Sequence, residues 1–384
     1  MKIVMNKKEQ PFEVASTMGC RTYNGFDINF DEQYFVDLIR KTAETGQLPK
    51  NYLFSAVQKD GRGNICPSTI ILPTYAMEAK KKADREGHPE YAVEYFLDLL
   101  EKAIIDTKDE LIERFNWICA QSPASAQFMW DNNTMKGYES DKGLKSAMRH
   151  GTLAIGKIGI AEALQILIGK DQTSEEGMEV AKRIEKLYKD KCNEFKEQYH
   201  LNFGNYDTPA ESLCRTSYSK FTKKYKLIDG VNAYTDEEGK LVPRGYFTNS
   251  IHVPVWKQMN PYEKIDIESQ LTGYSSAGCI TYVEIGDNAQ ENIPALEQIV
   301  LYAKSKDVPY FALNVLLSDC TACDYSGYVA DEAPCPKCGA EHELINDYAR
   351  VTGYLSTKVS HFNIGKQMEK KDRFVHVKKL SSWN

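Results

Sequence analysis

The sequence predicts an α/β protein in which helices cover a sheet, and three stretches carry that prediction. From Met77 to about Cys119, Val93, Phe96, Leu97, Leu100, Ile104, Leu111 and Ile112 recur at helical spacing, with a break near "GHPE". Residues Ser174 to about Tyr199 form a second amphipathic stretch that begins at a serine suited to capping a helix. The segment "IPALEQIVLYAKSKDVPYFALNVLL", 293–317, reads as a helix followed by a strand, the alternation of a sheet covered by helices. No internal repeat, low-complexity tract or long linker interrupts the chain, so the residues before Cys320 are expected to make one body.

Composition sets the class. The 384 residues are 42% hydrophobic and 27% charged, enough to bury a sizeable core. A formal charge of −6 gives no reason to expect a polyanion partner, because nucleic-acid binding rests on clustered Lys and Arg. The basic runs "AKKKADR" (79–85) and "EKKDRFVHVKK" (369–379) are interleaved with acids and read as solvated helix faces. The amino-terminal "MKIVMNKKEQPFE" lacks the apolar core of a signal peptide. The most apolar run, "GTLAIGKIGIAEALQILIG" (151–169), carries Lys157 and Glu162 and reads as a buried helix rather than a membrane span. A cytoplasmic protein, with no membrane and no nucleic acid among its partners, is the expectation.

Ten cysteines in such a protein should be mostly reduced. Cys320, Cys323, Cys335 and Cys338 form two C-x2-C pairs separated by "DYSGYVADEAP". Each pair can hold one side of a tetrahedral ion, so the spacing predicts a structural zinc ribbon with no open coordination position. Three loops stand out besides. "STMGCRTYNG" (16–25) sets Cys20 among polar turn residues, where it is a packing residue or a reagent. "DGRGNICPSTIILP" (60–73) delivers Asn64 through a glycine-rich turn, with a hairpin as the plain reading. "YDTPAES" (206–212) has the form of a capping box, with Thr208 as cap, Pro209 at the first helical position and Glu211 completing it. A helix is expected to begin there, its free N–H groups suited to a phosphate or serving only as a cap. After the cysteines, "RVTGYLST" (350–357) places Gly353 between Thr352 and Tyr354, a turn residue on its plain reading.

These blocks together resemble the anaerobic (class III) ribonucleoside-triphosphate reductases. "RVTGYLS" followed by "FNIGKQMEKKDR" is similar to their glycyl-radical motif, and the four cysteines lie just upstream, as in that family. "MGCRT" (18–22), "GRGN" (61–64), "STIILP" with "AMEA" after it, "HGTLAIGKIGIAEAL" (150–164), "TPAESL" (208–213) and "YFTNSIHVPV" (246–255) follow in the family's order. The resemblance implies a radical stored on Gly353 and passed to Cys20, whose thiyl abstracts the 3′ hydrogen of the ribose. It implies that Asn64 holds the ribose hydroxyls, that Met18 and Thr22 flank the sulfur, and that Thr208, Ala210 and Glu211 face the substrate phosphates.

The implied fold is the C-terminal part of a ten-stranded glycyl-radical α/β barrel: a barrel portion over 1–317 with a finger loop at 16–24, a zinc ribbon over 318–345, and a radical loop and tail over 346–384. The implied cofactors are structural Zn2+, the Gly353 radical and, as reductant, formate or a dithiol protein. S-adenosylmethionine and an iron–sulfur cluster belong only to the activating enzyme. Because family members continue for several hundred residues before "MGCRT", either a separate chain supplies the N-terminal half or this chain is a fragment; a complementary N-terminal subunit and a homodimer are the expected partners. The interval "DEQYFVDLIRKTAETGQLPKNYLF" (31–54) reads as an inserted helix and strand, and Cys66, Cys119, Cys192, Cys214 and Cys279 as packing residues. Two other readings stand beside this one: a non-catalytic zinc-containing assembly subunit, and a glycyl-radical lyase, whose usual Cys-Cys pair is absent from this sequence.

Overall fold

The computed structural model describes residues 2–4, 25, 27–29, 40, 43–44, 46, 62–132, 134–135, 137–286, 292–315, 317–329, 333–351, 354–356 and 358–377. Three parallel strands, β2 (Ser68–Ile71), β3 (Thr152–Ile158) and β4 (Asn202–Asp207), form one sheet in that order. Two more parallel strands, β5 (Thr281–Ile285) and β6 (Tyr310–Val315), pair with each other, and β1 (Lys2–Val4) lies antiparallel to β6. A parallel bridge from Tyr206 to Gly278 connects the two groups into the sequence β2–β3–β4–β5–β6.

Helices cross between these strands, as parallel pairing requires. They are α1 (Leu72–Glu86), α2 (Ala92–Cys119), α3 (Ile160–Ile168), α4 (Glu175–Tyr199), α5 (Leu213–Tyr225), α6 (Pro261–Thr272) and α7 (Ile293–Ser305). Alternation along each strand sends successive side chains to opposite faces. On the helix-covered face Ile70, Leu153, Ile155 and Phe203 join Phe96, Leu100, Ile104, Leu111 and Ile184 in the main core. Val283, Ile285, Phe311 and Leu313 join Ile265, Leu296 and Ile299 in a second core.

The helix-covered face also buries charge. Lys157 Nζ lies 2.9 Å from Asp207 and 3.1 Å from Glu185 on α4, and donates to Asn205 Oδ1 at 2.7 Å. All three ionic side chains are almost fully shielded from water. One cation faces two carboxylates, and burial pushes Glu185 up to about 7.

The expected amphipathic stretches form as helices. Ser174 caps α4 by accepting from Gly177 N, and the break near "GHPE" separates α1 from α2. Residues 151–169, however, are not one helix. They divide into β3 and α3 at Gly159, whose φ of +80° suits glycine. Both pieces are buried, which is why the whole run reads as apolar without showing where the period changes.

Past β6 a four-stranded antiparallel sheet links β7 (Leu317–Cys320), β8 (Ser326–Gly327), β9 (Ile345–Val351) and β10 (Tyr354–Ser356). Helix α8 (Ile364–Asp372) follows, capped by Asn363, which accepts from Lys366 N. Over its described residues, 369–377, the basic run is not a solvated face. Glu369 is buried and Arg373 nearly so, ion-paired to Glu369 and to Glu284 on β5 at 2.9 Å each. Interleaved charges look alike whether they pair with water or with one another. Most of the interval 31–54 lies outside the described residues. No helix among the described residues is long and apolar enough to cross a membrane.

Candidate active site

On the second face of β3 the small residues Ala154 and Gly156 alternate with Leu153, Ile155 and Lys157 of the helix-covered face. Ala154 and Tyr206 cluster with Ala277 on the second face. Gly156 occupies a position that no other residue could fill unchanged. A Cβ there would lie 2.1 Å from Thr208 Oγ1 and 2.8 Å from Thr69 Oγ1, and those two hydroxyls share a hydrogen bond of 2.9 Å across it. Thr208 begins the loop that leaves β4, so this glycine lets the loop settle against β2 and β3.

Thr208, Ala210 and Glu211 come together in that loop, but not in a capping box. Helix α5 starts at Leu213, Ser212 makes no side-chain cap bond, and Thr208 turns to Thr69 instead. Tertiary partners take the groups a cap would use. Ser250 Oγ donates to Thr208 O at 2.8 Å, Ala210 N donates to Asn249 Oδ1 at 2.9 Å, and Asn363 Nδ2 donates to Glu211 O at 3.3 Å. Glu211 remains half-exposed, two residues before α5 begins at Leu213.

Asn64 sits at the opposite end of the strands. It bridges to Thr152 in parallel fashion, so "GRGN" enters a parallel edge rather than a hairpin, and its Nδ2 donates to Ala277 O at 3.2 Å. A buried polar cluster anchors this end. Asp27 Oδ2 lies 2.7 Å from His150 Nδ1, Asp27 Oδ1 accepts from Asn202 Nδ2 at 2.8 Å, and Arg62 donates to His150 O at 2.6 Å and Gly25 O at 3.1 Å. Burial works against the Asp27 charge, yet the His150 hydrogen bond and the Arg62 guanidinium hold its carboxyl below the usual value. Gly25 N also donates to Ser276 O. The chain emerging from the "MGCRT" segment is thus fixed to the starts of β2, β3 and β4. The blocks "GRGN" and "HGTLAIG" mark the neighbourhoods of Arg62 and His150 in the sequence but not this cluster; Asp27 and Asn202 have no sequence signal.

The four cysteines converge as expected. Their sulfur atoms all lie within 4.8 Å of one another, with Cys320–Cys338 and Cys323–Cys335 at 3.7 Å. Four thiolates about 2.3 Å from a tetrahedral zinc would stand about 3.8 Å apart, so the cluster could hold a metal such as zinc. Strand β7 contributes Cys320, and β9 returns beside it, pairing Ile345 with Cys320. Among the other cysteines, burial pushes the thiols of Cys66, Cys192 and Cys214 up to about 11, 12 and 11, as packing residues require. Cys279 is also buried, and Cys119 half-buried.

Gly353, Cys20, Met18 and Thr22 lie outside the described residues. On either side of Thr352 and Gly353, Val351 pairs with Tyr354 and Arg350 with Leu355 in the β9–β10 hairpin.

Comparison with known proteins decides the family. The profile described as "Anaerobic ribonucleoside-triphosphate reductase" matches residues 1–376. The chain belongs to that family. It is 30% identical over 336 residues to the anaerobic ribonucleoside-triphosphate reductase of Haemophilus influenzae, covering 83% of this chain and 43% of that protein. The Escherichia coli protein of the same name is 29% identical over 337 residues, and that of Enterobacteria phage T4 is 27% identical over 328. The chain therefore spans less than half the length of these relatives. Among solved structures, an anaerobic ribonucleotide reductase aligns with a TM-score of 0.56 at 20% identity, over 83% of this chain and 45% of that one. The Thermotoga maritima enzyme in complex with dATP and CTP gives 0.52 at 18%, over 82% and 45%. These likenesses show that the mixed α/β fold is shared with the family.

Proposed function

We propose that the chain forms the catalytic part of an oxygen-sensitive glycyl-radical ribonucleotide reductase that converts ribonucleoside triphosphates to deoxyribonucleoside triphosphates in the cytoplasm. The observation that carries this reading is the family match over residues 1–376, which includes "MGCRT" and "RVTGYLS". In this reading β2–β6 are five strands of the ten-stranded barrel. The extra length that the relatives possess supplies the remainder, whether continuous with this chain or on another polypeptide. The assembly works as a homodimer, and a radical S-adenosylmethionine enzyme with an iron–sulfur cluster activates it.

Gly353 stores the radical because a planar α-carbon between amide and carbonyl delocalises the electron, and a side chain would crowd that plane. The Gly353 radical takes hydrogen from the Cys20 thiol, and the thiyl takes the ribose 3′ hydrogen. The 2′ hydroxyl then takes a proton and leaves as water. Two electrons and a proton come from the reductant, formate oxidised to carbon dioxide or a dithiol oxidised to a disulfide. Cys20 returns the 3′ hydrogen and recovers its own from Gly353. Orientation confines thiyl chemistry to one carbon.

Asn64 holds the ribose hydroxyls at the N-terminal edge of the strands, with Met18 and Thr22 beside the sulfur. Thr208, Ala210 and Glu211 face the phosphates at the other edge. Asn64 pairs with Thr152, and Thr208 stands over Gly156, four residues along β3. At about 3.3 Å per residue the separation is on the order of 13 Å, the scale of a nucleoside triphosphate from ribose to terminal phosphate. Zinc held by Cys320, Cys323, Cys335 and Cys338 would be structural: four thiolates would leave no position for chemistry, and the ion would fix β7 within the ribbon.

Neither alternative is favoured. A non-catalytic subunit has no use for Cys20 and Gly353, and the family that matches residues 1–376 is one of reductases. The test is anaerobic turnover of the activated holoenzyme with Cys20→Ser. The radical should form and deoxyribonucleotide production should cease; continued production would refute the assignment.

A further inference from the structure

Helix α8 lies eleven residues beyond Gly353, yet its contacts run to the loop that begins at Thr208. Asn249 makes the connection. It is almost fully buried, and both ends of its amide are committed: Oδ1 accepts from Ala210 N at 2.9 Å and Nδ2 donates to Glu369 Oε2 at 3.4 Å. The orientation is fixed by chemistry, since a backbone N–H can only donate and a carboxylate can only accept. Glu369 is a dependable acceptor. Burial opposes its charge, but Lys366 at 2.5 Å and Arg373 at 2.9 Å outweigh it and hold the carboxyl down to about 2. Arg373 reaches on to Glu284 at 2.9 Å, so the chain of contacts is anchored in β5. A second link runs in parallel: Asn363, the cap of α8, donates from Nδ2 to Glu211 O at 3.3 Å.

We propose that Asn249 is a positioning residue that ties the seating of the C-terminal helix to the shape of the 208–211 loop. The inference rests on the assignment of that loop to the substrate. Two of the loop's polar backbone groups, Ala210 N and Glu211 O, take their partners from this system, one through Asn249 and Glu369 and one directly from Asn363. Displacing α8 therefore removes Asn363 from Glu211 and Glu369 from Asn249, and leaves the loop held only by Thr69, Ser250 and an Asn249 that Glu369 no longer orients. Coupling of this kind is reciprocal: whatever stabilises the loop, a bound triphosphate included, also favours the seated helix.

Charge reversal within the pair tests this. Asn249→Asp still accepts from Ala210 but sets a carboxylate against Glu369. Asn249→Asp combined with Glu369→Gln restores a donor and an acceptor and keeps the net charge of the cluster. In the holoenzyme, Asn249→Asp should raise KM for the ribonucleotide about tenfold, the size of one lost charge-assisted hydrogen bond, and speed amide exchange of the peptide spanning 208–214 by a similar factor. The glycyl radical yield should stay at the wild-type level, and the double variant should bring KM and exchange back towards wild type. An unchanged KM and exchange in the single variant, or no recovery in the double, overturns the proposal. Where Asn249→Asp alone does not fold, a folded double variant with wild-type exchange supports it and an unfolded one refutes it. If the wild-type holoenzyme reduces no ribonucleotide, the proposed function fails, while the exchange comparison still decides the coupling.

Discussion

The two faces of the parallel sheet are built from alternate residues of the same strands and obey different rules. On the helix-covered face Leu153, Ile155 and Lys157 are each fully buried against α2 and α4 or their charged side chains. On the other face their neighbours Ala154 and Gly156 keep the sheet low, so that the Thr208 loop can approach to hydrogen-bond distance of β2. One face is filled to hold the fold together. Its partner is kept shallow to leave room. The difference teaches that a substitution of one methyl group should be read by the face it falls on, with stability at stake on one side and geometry on the other.

The largest effect should come from the charged centre of the filled face. Lys157→Met strands Asp207 and Glu185 without their cation, and breaking a buried ion system in this way costs about 3–5 kcal/mol, read as a lower denaturant midpoint. Next comes Ile155→Ala, which leaves a cavity in the main core and should cost about 3 kcal/mol by the same measurement, with little change in the activity of the molecules that remain folded. Gly156→Ala should behave in the opposite way. Its new Cβ displaces Thr208 and Thr69, so turnover should fall on the order of a hundredfold while the midpoint moves less than for Ile155→Ala. Equal loss of stability in both variants would erase the distinction between the faces.

The smallest effect concerns Glu185. Its folded pKa is raised to about 7 from an ordinary 4.5, so the folded state binds the proton more tightly than the unfolded one. Stability from this group is greatest below pH 4.5 and is lost as pH rises towards 7. Stability profiles of wild type and Glu185→Gln should therefore converge at low pH and separate as pH rises through this window.

Much of this was legible in the sequence, and the exceptions have physical causes. The α2 and α4 periods, the Ser174 cap and the four cysteines follow from local spacing, and local spacing fixed them. Residues 151–169 read as one helix in sequence because a strand and a helix that are both buried share one apolar signature. Thr208 looked like a cap because a capping box is a local pattern, while the partners it prefers, Thr69 and Ser250, are distant in sequence. The same distance hid the Asp27–His150 and Asn249–Glu369 contacts, and it made the buried charges of α8 look like a solvated surface. Motif blocks located the neighbourhoods of Arg62, His150 and Asn249; only tertiary structure gives those residues partners.

The central claim is that Gly353 carries a radical. It is tested most directly by anaerobic electron paramagnetic resonance of the holoenzyme after incubation with its activating enzyme and S-adenosylmethionine, with and without Gly353→Ala. The account predicts a doublet from the single α-hydrogen in wild type and none in the variant. A doublet that persists in Gly353→Ala, or a holoenzyme that reduces ribonucleotides without ever showing one, would contradict it.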